Sequence, residues 1–179
     1  MKILLHICCA PCSIHPFREL LKNDKDLVAG FFYNPNIHPF TEMEKRRGAI
    51  ADYAKSINLD IVFGGYDMED FFKNIGTNMQ APSRCRICWK MRLEKTAKYA
   101  KEAGFDAFTS TLLVSPYQDR QAILEIGSEI EDETGVKFLS DDWRSGFRQA
   151  QQCARENNIY RQKYCGCVFS EKERFAKNG

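Results

Sequence analysis

Short runs of apolar residues alternate along the chain with stretches in which apolar positions recur every three or four residues, the pattern of strands followed by amphipathic helices. Lys2-Ile3-Leu4-Leu5-His6-Ile7, Leu27-Val28-Ala29-Gly30-Phe31-Phe32-Tyr33, Asp60-Ile61-Val62-Phe63, Asp106-Ala107-Phe108-Thr109-Ser110 and Val136-Lys137-Phe138-Leu139 read as five strands. Ser13 is placed to cap a first helix carrying Phe17, Leu20 and Leu21, and Thr41, with Glu44 three residues on, a second with Met43, Ile50, Ala54 and Ile57 along one side. Asp67 to Lys73 suits a short helix. A long one follows the loop 74–84, burying Leu93, Ala97 and Ala100 and ending at Gly104. Arg120 to Glu133 buries Ile123, Ile126 and Ile130, a basic helix from Asp141 turns Phe147, Ala150 and Ala154 inward, and Ser170 is placed to cap a last short helix. The alternation predicts an α/β fold: a doubly wound, mostly parallel five-stranded sheet with a C-terminal helical segment. The polar segments after the strands then gather at the carboxyl edge, where open α/β sheets bind ligands.

Composition narrows the class. The chain has 179 residues, 44% of them hydrophobic, enough for one sizeable core, and we expect a single domain over 1–179. Every apolar run is far shorter than the roughly 20 residues of a spanning helix, and the N-terminus lacks the apolar stretch of a signal peptide, so no membrane partner and a cytoplasmic location are expected.

Eight cysteines in a reducing compartment point to metal binding or redox chemistry rather than a disulfide framework. They fall as Cys8, Cys9 and Cys12 where the first strand ends, Cys85 and Cys88 at the start of the long helix, a lone Cys153, and Cys165 and Cys167. Cys9-x-x-Cys12 and Cys85-x-x-Cys88 form a double CxxC, which suits a tetrahedral zinc site or a four-iron cluster. Iron–sulfur is the favoured reading. Zinc has no use for Cys8, the two pairs are more than 70 positions apart, no ligand histidine is spaced nearby, and Cys165-Gly166-Cys167 suggests electron traffic through a strained, reactive disulfide. A thioredoxin-like dithiol at Cys9 and Cys12 leaves Cys85 and Cys88 unexplained. Cys153, beside apolar positions in mid-helix, reads as a small buried hydrophobe.

The net charge of +2 is small, yet residues 84–101 and 144–163 are both strongly basic and flank cysteines, as a polyanion lying across the site would require. Solvated helix faces account for the same pattern. His6 reads as a core residue beside the site. Asn34 and His38 on one polar edge loop, Tyr117 and Gln118 on another, and Arg161 and Lys163 near the C-terminus are the candidates for substrate contact. Tyr117, Tyr164 and Trp89 can offer stacking faces to an unpaired base.

Five motifs in order, His-Ile-Cys-Cys-Ala-Pro-Cys-Ser at 6–13, Phe-Tyr-Asn-Pro-Asn-Ile-His-Pro at 32–39, Arg-Cys-x-x-Cys at 84–88 with Arg92, Thr-Leu-Leu-Val-Ser-Pro-Tyr-Gln at 111–118 and Tyr-Arg-Gln-Lys-Tyr-Cys-Gly-Cys at 160–167, make the chain resemble the QueH family of cobalamin-independent epoxyqueuosine reductases over nearly its whole length. Trp89 departs from the tyrosine expected after the second CxxC. The resemblance implies the last step of queuosine synthesis, two-electron removal of the epoxide oxygen from epoxyqueuosine at the wobble base of a tRNA, with the anticodon arm as partner. It also implies a [4Fe-4S] cluster held by Cys8, Cys9, Cys85 and Cys88, with Cys165 and Cys167 as a redox-active pair. Cys12 is then the surplus thiol, available to hold a further iron or to act in catalysis. The implied fold is that of the PP-loop, adenine nucleotide alpha hydrolase-like proteins, with their glycine-rich phosphate turn replaced by Cys-Cys-Ala-Pro-Cys-Ser, so no ATP use is expected. No residue identifies the external electron donor. The rival readings are a zinc-bound RNA-binding module without catalysis and a thiol–disulfide reductase.

Overall fold

The computed structural model describes residues 1–176. Five strands, β1 (Lys2–His6), β2 (Leu27–Phe32), β3 (Ile61–Phe63), β4 (Ala107–Ser110) and β5 (Lys137–Phe138), form one sheet in the order β3-β2-β1-β4-β5. Every pairing is parallel, so the expected mostly parallel sheet is wholly so. β1 and β4 are central and covered on both faces, which is why Ile3, Leu4, Leu5, Ala107 and Phe108 are all buried.

Among the described residues seven α-helices connect and cover the strands: α1 (Ala10–Leu20), α2 (Phe40–Ser56), α3 (Met68–Ile75), α4 (Ser83–Glu102), α5 (Arg120–Thr134), α6 (Phe147–Glu156) and α7 (Val168–Phe175). α1 packs against α2 and α6, while α4 packs against α3, α5 and the two central strands. The chain winds outward from β1 toward β3 and then from β4 toward β5, which makes the gap between β1 and β4 the topological switch point of the sheet. No helix among the described residues is long and apolar enough to cross a membrane.

Helix starts differ from the sequence expectation. Ser13 does not cap α1: the helix begins at Ala10 with Cys9 in the N-cap position, and Ser13 lies in the first turn, its hydroxyl donating to the Ala10 carbonyl at 2.8 Å. Thr41 lies inside α2, which starts after Pro39. α7 is capped by Cys167, whose sulfur accepts from the Ser170 N–H at 3.4 Å, while the Ser170 hydroxyl donates back to the Cys167 carbonyl. At two of these three helix starts the N-cap is therefore a thiol.

Candidate metal centre and substrate pocket

At the switch point β1 runs into Cys8, Cys9 and then α1. The extended backbone of Cys9 lets the helix start at once, and with no side-chain cap the first-turn N–H groups favour negative charge beside them. The sulfurs of Cys8, Cys9 and Cys12 lie within 4.8 Å of one another. Thr111, which directly follows β4, closes the gap: its hydroxyl accepts from the Cys8 N–H at 3.0 Å and donates to the Cys8 sulfur at 3.2 Å. Hydrogen bonds from Cys12 and Cys9, with Thr111 and Arg92 adding to them, hold the Cys8 thiol well below its ordinary range despite burial. Burial pushes Cys9 up, and hydrogen bonding to Cys8 and Cys9 pushes Cys12 up.

Cys85 and Cys88 come from the first turns of α4, half-buried and buried. Burial raises both thiols, Cys88 to about 12. Neither joins the 4.8 Å group, in which Cys12 stands instead. Cys165 and Cys167, expected to be capable of a disulfide, are free thiols with different surroundings. The Cys165 sulfur faces the Gln118 amide at 3.8 Å, whereas Cys167 is buried with Phe71, Ile75 and Cys88 and is spent on the cap of α7.

A pocket of about 680 Å³ opens over the triad. Cys8, Cys12, Arg92 and Thr111 line its inner part, and Tyr117, Gln118, Arg161, Lys163 and Cys165 also line it, so four of the six residues expected to contact substrate stand around this pocket. Tyr117 is 83% exposed and stands edge-on to Phe147, leaving a free ring face. Trp89 is not a stacking surface: it is buried, and its indole N–H donates to Gln118 at 2.9 Å. The Tyr164 ring lines the pocket with its hydroxyl tied to the His38 carbonyl.

Two candidates are placed elsewhere. His38 is buried against Phe71 and Phe72, outside the pocket lining, and burial lowers its pKa. Asn34 is also buried, its amide donating to the Ile7 carbonyl at 2.8 Å and its oxygen facing Arg92 at 3.5 Å. Both brace the loop after β2 and lie outside the lining of this pocket. His6 lies in the core as expected: its Nε2–H donates to the Tyr33 carbonyl at 3.1 Å and Nδ1 accepts from Ser110 at 2.8 Å, and burial holds it neutral with a pKa near 3.

Residues without an assigned role in the sequence reading complete the site. Gln162 donates from Nε2 to the Cys9 sulfur at 2.8 Å, covering the triad from the C-terminal arm. Arg46 of α2 clamps that arm, donating to the carbonyls of Cys165 at 2.8 Å and Tyr164 at 3.1 Å while paired to Glu42 at 2.8 Å. Three converging thiols, a nearby CxxC and buried polar atoms of Arg92 and Gln162 left without partners fit a metal centre better than a packed core.

Comparison with known proteins bears on the same residues. A family model described as epoxyqueuosine reductase QueH matches residues 3–173. The epoxyqueuosine reductase QueH of Dehalococcoides mccartyi is 38% identical over 177 residues, covering 98% of this chain and 96% of its own, and that of Thermotoga maritima is 37% identical over 187 residues, covering 98% and 93%. Among solved structures, the U34-tRNA thiolase NcsA from Methanococcus maripaludis with its [4Fe-4S] cluster superposes with a TM-score of 0.61 at 14% identity. That match covers 95% of this chain and 61% of NcsA, and it is a likeness of fold, in line with the expected PP-loop-like architecture.

Proposed function

The chain belongs to the epoxyqueuosine reductase QueH family, and from that premise we propose that the thiol-lined pocket is where epoxyqueuosine, carried at the wobble position of a tRNA, loses its epoxide oxygen. The observation that carries this reading is the placement of the Cys8, Cys9 and Cys12 sulfurs at the sheet's switch point, under a pocket rimmed by an exposed aromatic ring and three cations, Arg161, Lys163 and Arg174. The reaction opens two carbon–oxygen bonds, forms a carbon–carbon double bond and releases the oxygen as water, consuming two electrons and two protons.

Cys8, Cys9, Cys85 and Cys88 would hold a [4Fe-4S] cluster, with Cys12 beside it as a position for a further iron or for catalysis. Such a group, when bound, supplies single electrons and a Lewis-acidic iron for the departing oxygen. The protein's own residues do the rest. Tyr117 stacks on the everted base, Arg161 and Lys163 take the phosphates of the anticodon arm, and Gln118, oriented by Trp89, faces both the base and Cys165. Oxidation of Cys165 and Cys167 to a disulfide releases two electrons and two protons, the amount the epoxide consumes. For that, Cys167 leaves its cap on α7, and an external donor restores the thiols.

Anaerobic purification followed by mass spectrometry of nucleosides from epoxyqueuosine-containing tRNA tests the proposal. A brown protein with about four or more irons per chain that forms queuosine is the expected result; a colourless protein carrying one zinc overturns it. Cys85→Ser should lose the iron, and Cys12→Ser should keep it while losing turnover. Full multiple-turnover activity in both Cys165→Ser and Cys167→Ser would remove the thiol pair from the mechanism.

A further inference from the structure

Three arginines near the site are almost fully buried, and two of them have a carboxylate: Arg46 pairs with Glu42 at 2.8 Å and Arg84 with Glu173 at 2.9 Å. Arg92 has none among the described residues. It stands four residues after Cys88 on α4, 1% exposed, and lines the inner pocket with Cys8 and Cys12. Nη1 donates to Asn36 at 3.2 Å and reaches Asn34 at 3.5 Å, neutral amides that fix its position without offsetting its charge, while Nε and Nη2 are buried with no partner. Asn34 is anchored in turn to the Ile7 carbonyl, so the guanidinium is held in register with the Cys8–Cys9 turn.

A guanidinium does not lose its proton, and an uncompensated buried charge is costly, so the site needs an anion. Cys88 stands one turn before Arg92 on α4, and Cys8, Cys12 and Cys165 line the same pocket, so the cation sits among thiols from all three cysteine groups.

We propose that Arg92 is the fixed counter-charge of the metal centre, holding its reduced form at a less negative potential than the cysteine ligands alone would set. The proposal rests on the metal-bearing reading of the cysteines given above. Reduction adds a negative charge next to a cation that is already in place, so the reduced form is favoured. Its removal by a residue of similar volume therefore lowers the potential of the loaded protein.

The test compares wild type, Arg92→Lys and Arg92→Met, each reconstituted anaerobically, by iron content and by midpoint potential in a dye-mediated titration. The expected result is a potential in Arg92→Met lower by at least a tenfold change in the oxidised-to-reduced ratio, about 59 mV for one electron, with Arg92→Lys staying near wild type. Equal potentials in all three, or an equal drop in both variants, overturns the proposal. If Arg92→Met cannot be loaded, loading of Arg92→Lys upholds the need for charge and its failure overturns it. A wild type that takes up no iron removes the metal reading itself, a different outcome from a loaded protein whose potential ignores Arg92.

Discussion

Gly166 separates the last two cysteines with a φ of +154°, a backbone conformation that L side chains rarely adopt, and a Cβ there would lie 3.0 Å from Asn36 Nδ2 and 3.1 Å from Ile37 Cγ1. Its carbonyl accepts from the His38 N–H at 2.8 Å, so this residue seats the C-terminal arm on the loop after β2. Gly166→Ala should cost about 1–3 kcal/mol through strain, with a fall in Tm of roughly 2–4 °C per kcal/mol, and should quicken anaerobic alkylation of Cys167. An unchanged Tm and labelling rate would show that the arm does not depend on this contact. Asn36 links the glycine to Arg92, so a single added methyl also reaches the inner pocket.

The arm from Asn157 to Cys167 has almost no regular structure and is held by helices distant in sequence. Arg46 reaches across 119 positions to the Cys165 carbonyl, Gln162 across 153 to Cys9, and Tyr160 donates to Glu42 at 2.6 Å. Arg46→Met leaves the buried Glu42 carboxylate without its cation and should cost about 3–5 kcal/mol. Glu42→Gln combined with Arg46→Met should cost less than the sum of the single changes. Denaturant unfolding measures both, and limited proteolysis should cut the arm of Arg46→Met first; strict additivity would mean that the two side chains act separately. The same distances explain what could be read from the sequence. β1 and β2 carry apolar runs because both sheet faces are covered, and the loops after β1 and β4 announce the site through their cysteines and polar residues. The roles of Asn34, His38 and Trp89 were not visible, since each depends on a partner from another element. The caps were misread because Cys9 and Cys167 occupy N-cap positions usually held by Ser, Thr, Asp or Asn.

At the scale of the whole molecule the charge balance is nearly neutral, so attraction of a polyanion depends on which cations are free. The basic run on α4 is partly spent: Arg84 pairs with Glu173, Arg86 with Glu125, Lys90 with Glu94 and Lys95 with Asp67, while Lys98 and Lys101 are in no ion pair among the described residues. Arg161, Lys163 and Arg174 line the pocket, and none of them is in an ion pair among the described residues. Each phosphate contact on a single-stranded loop contributes about 0.7 to the slope of log affinity against log salt through released counterions. Alanine at Arg161 or Lys163 should therefore flatten the slope by about that amount for the anticodon arm, whereas alanine at Arg86 or Lys90 should leave it nearly unchanged, since those cations are already neutralised. Fluorescence anisotropy of a labelled anticodon stem-loop between about 50 and 200 mM salt measures both. A slope that responds to the α4 substitutions and ignores Arg161 and Lys163 would place the RNA over the other face of the cysteine centre, because only those contacts release counterions.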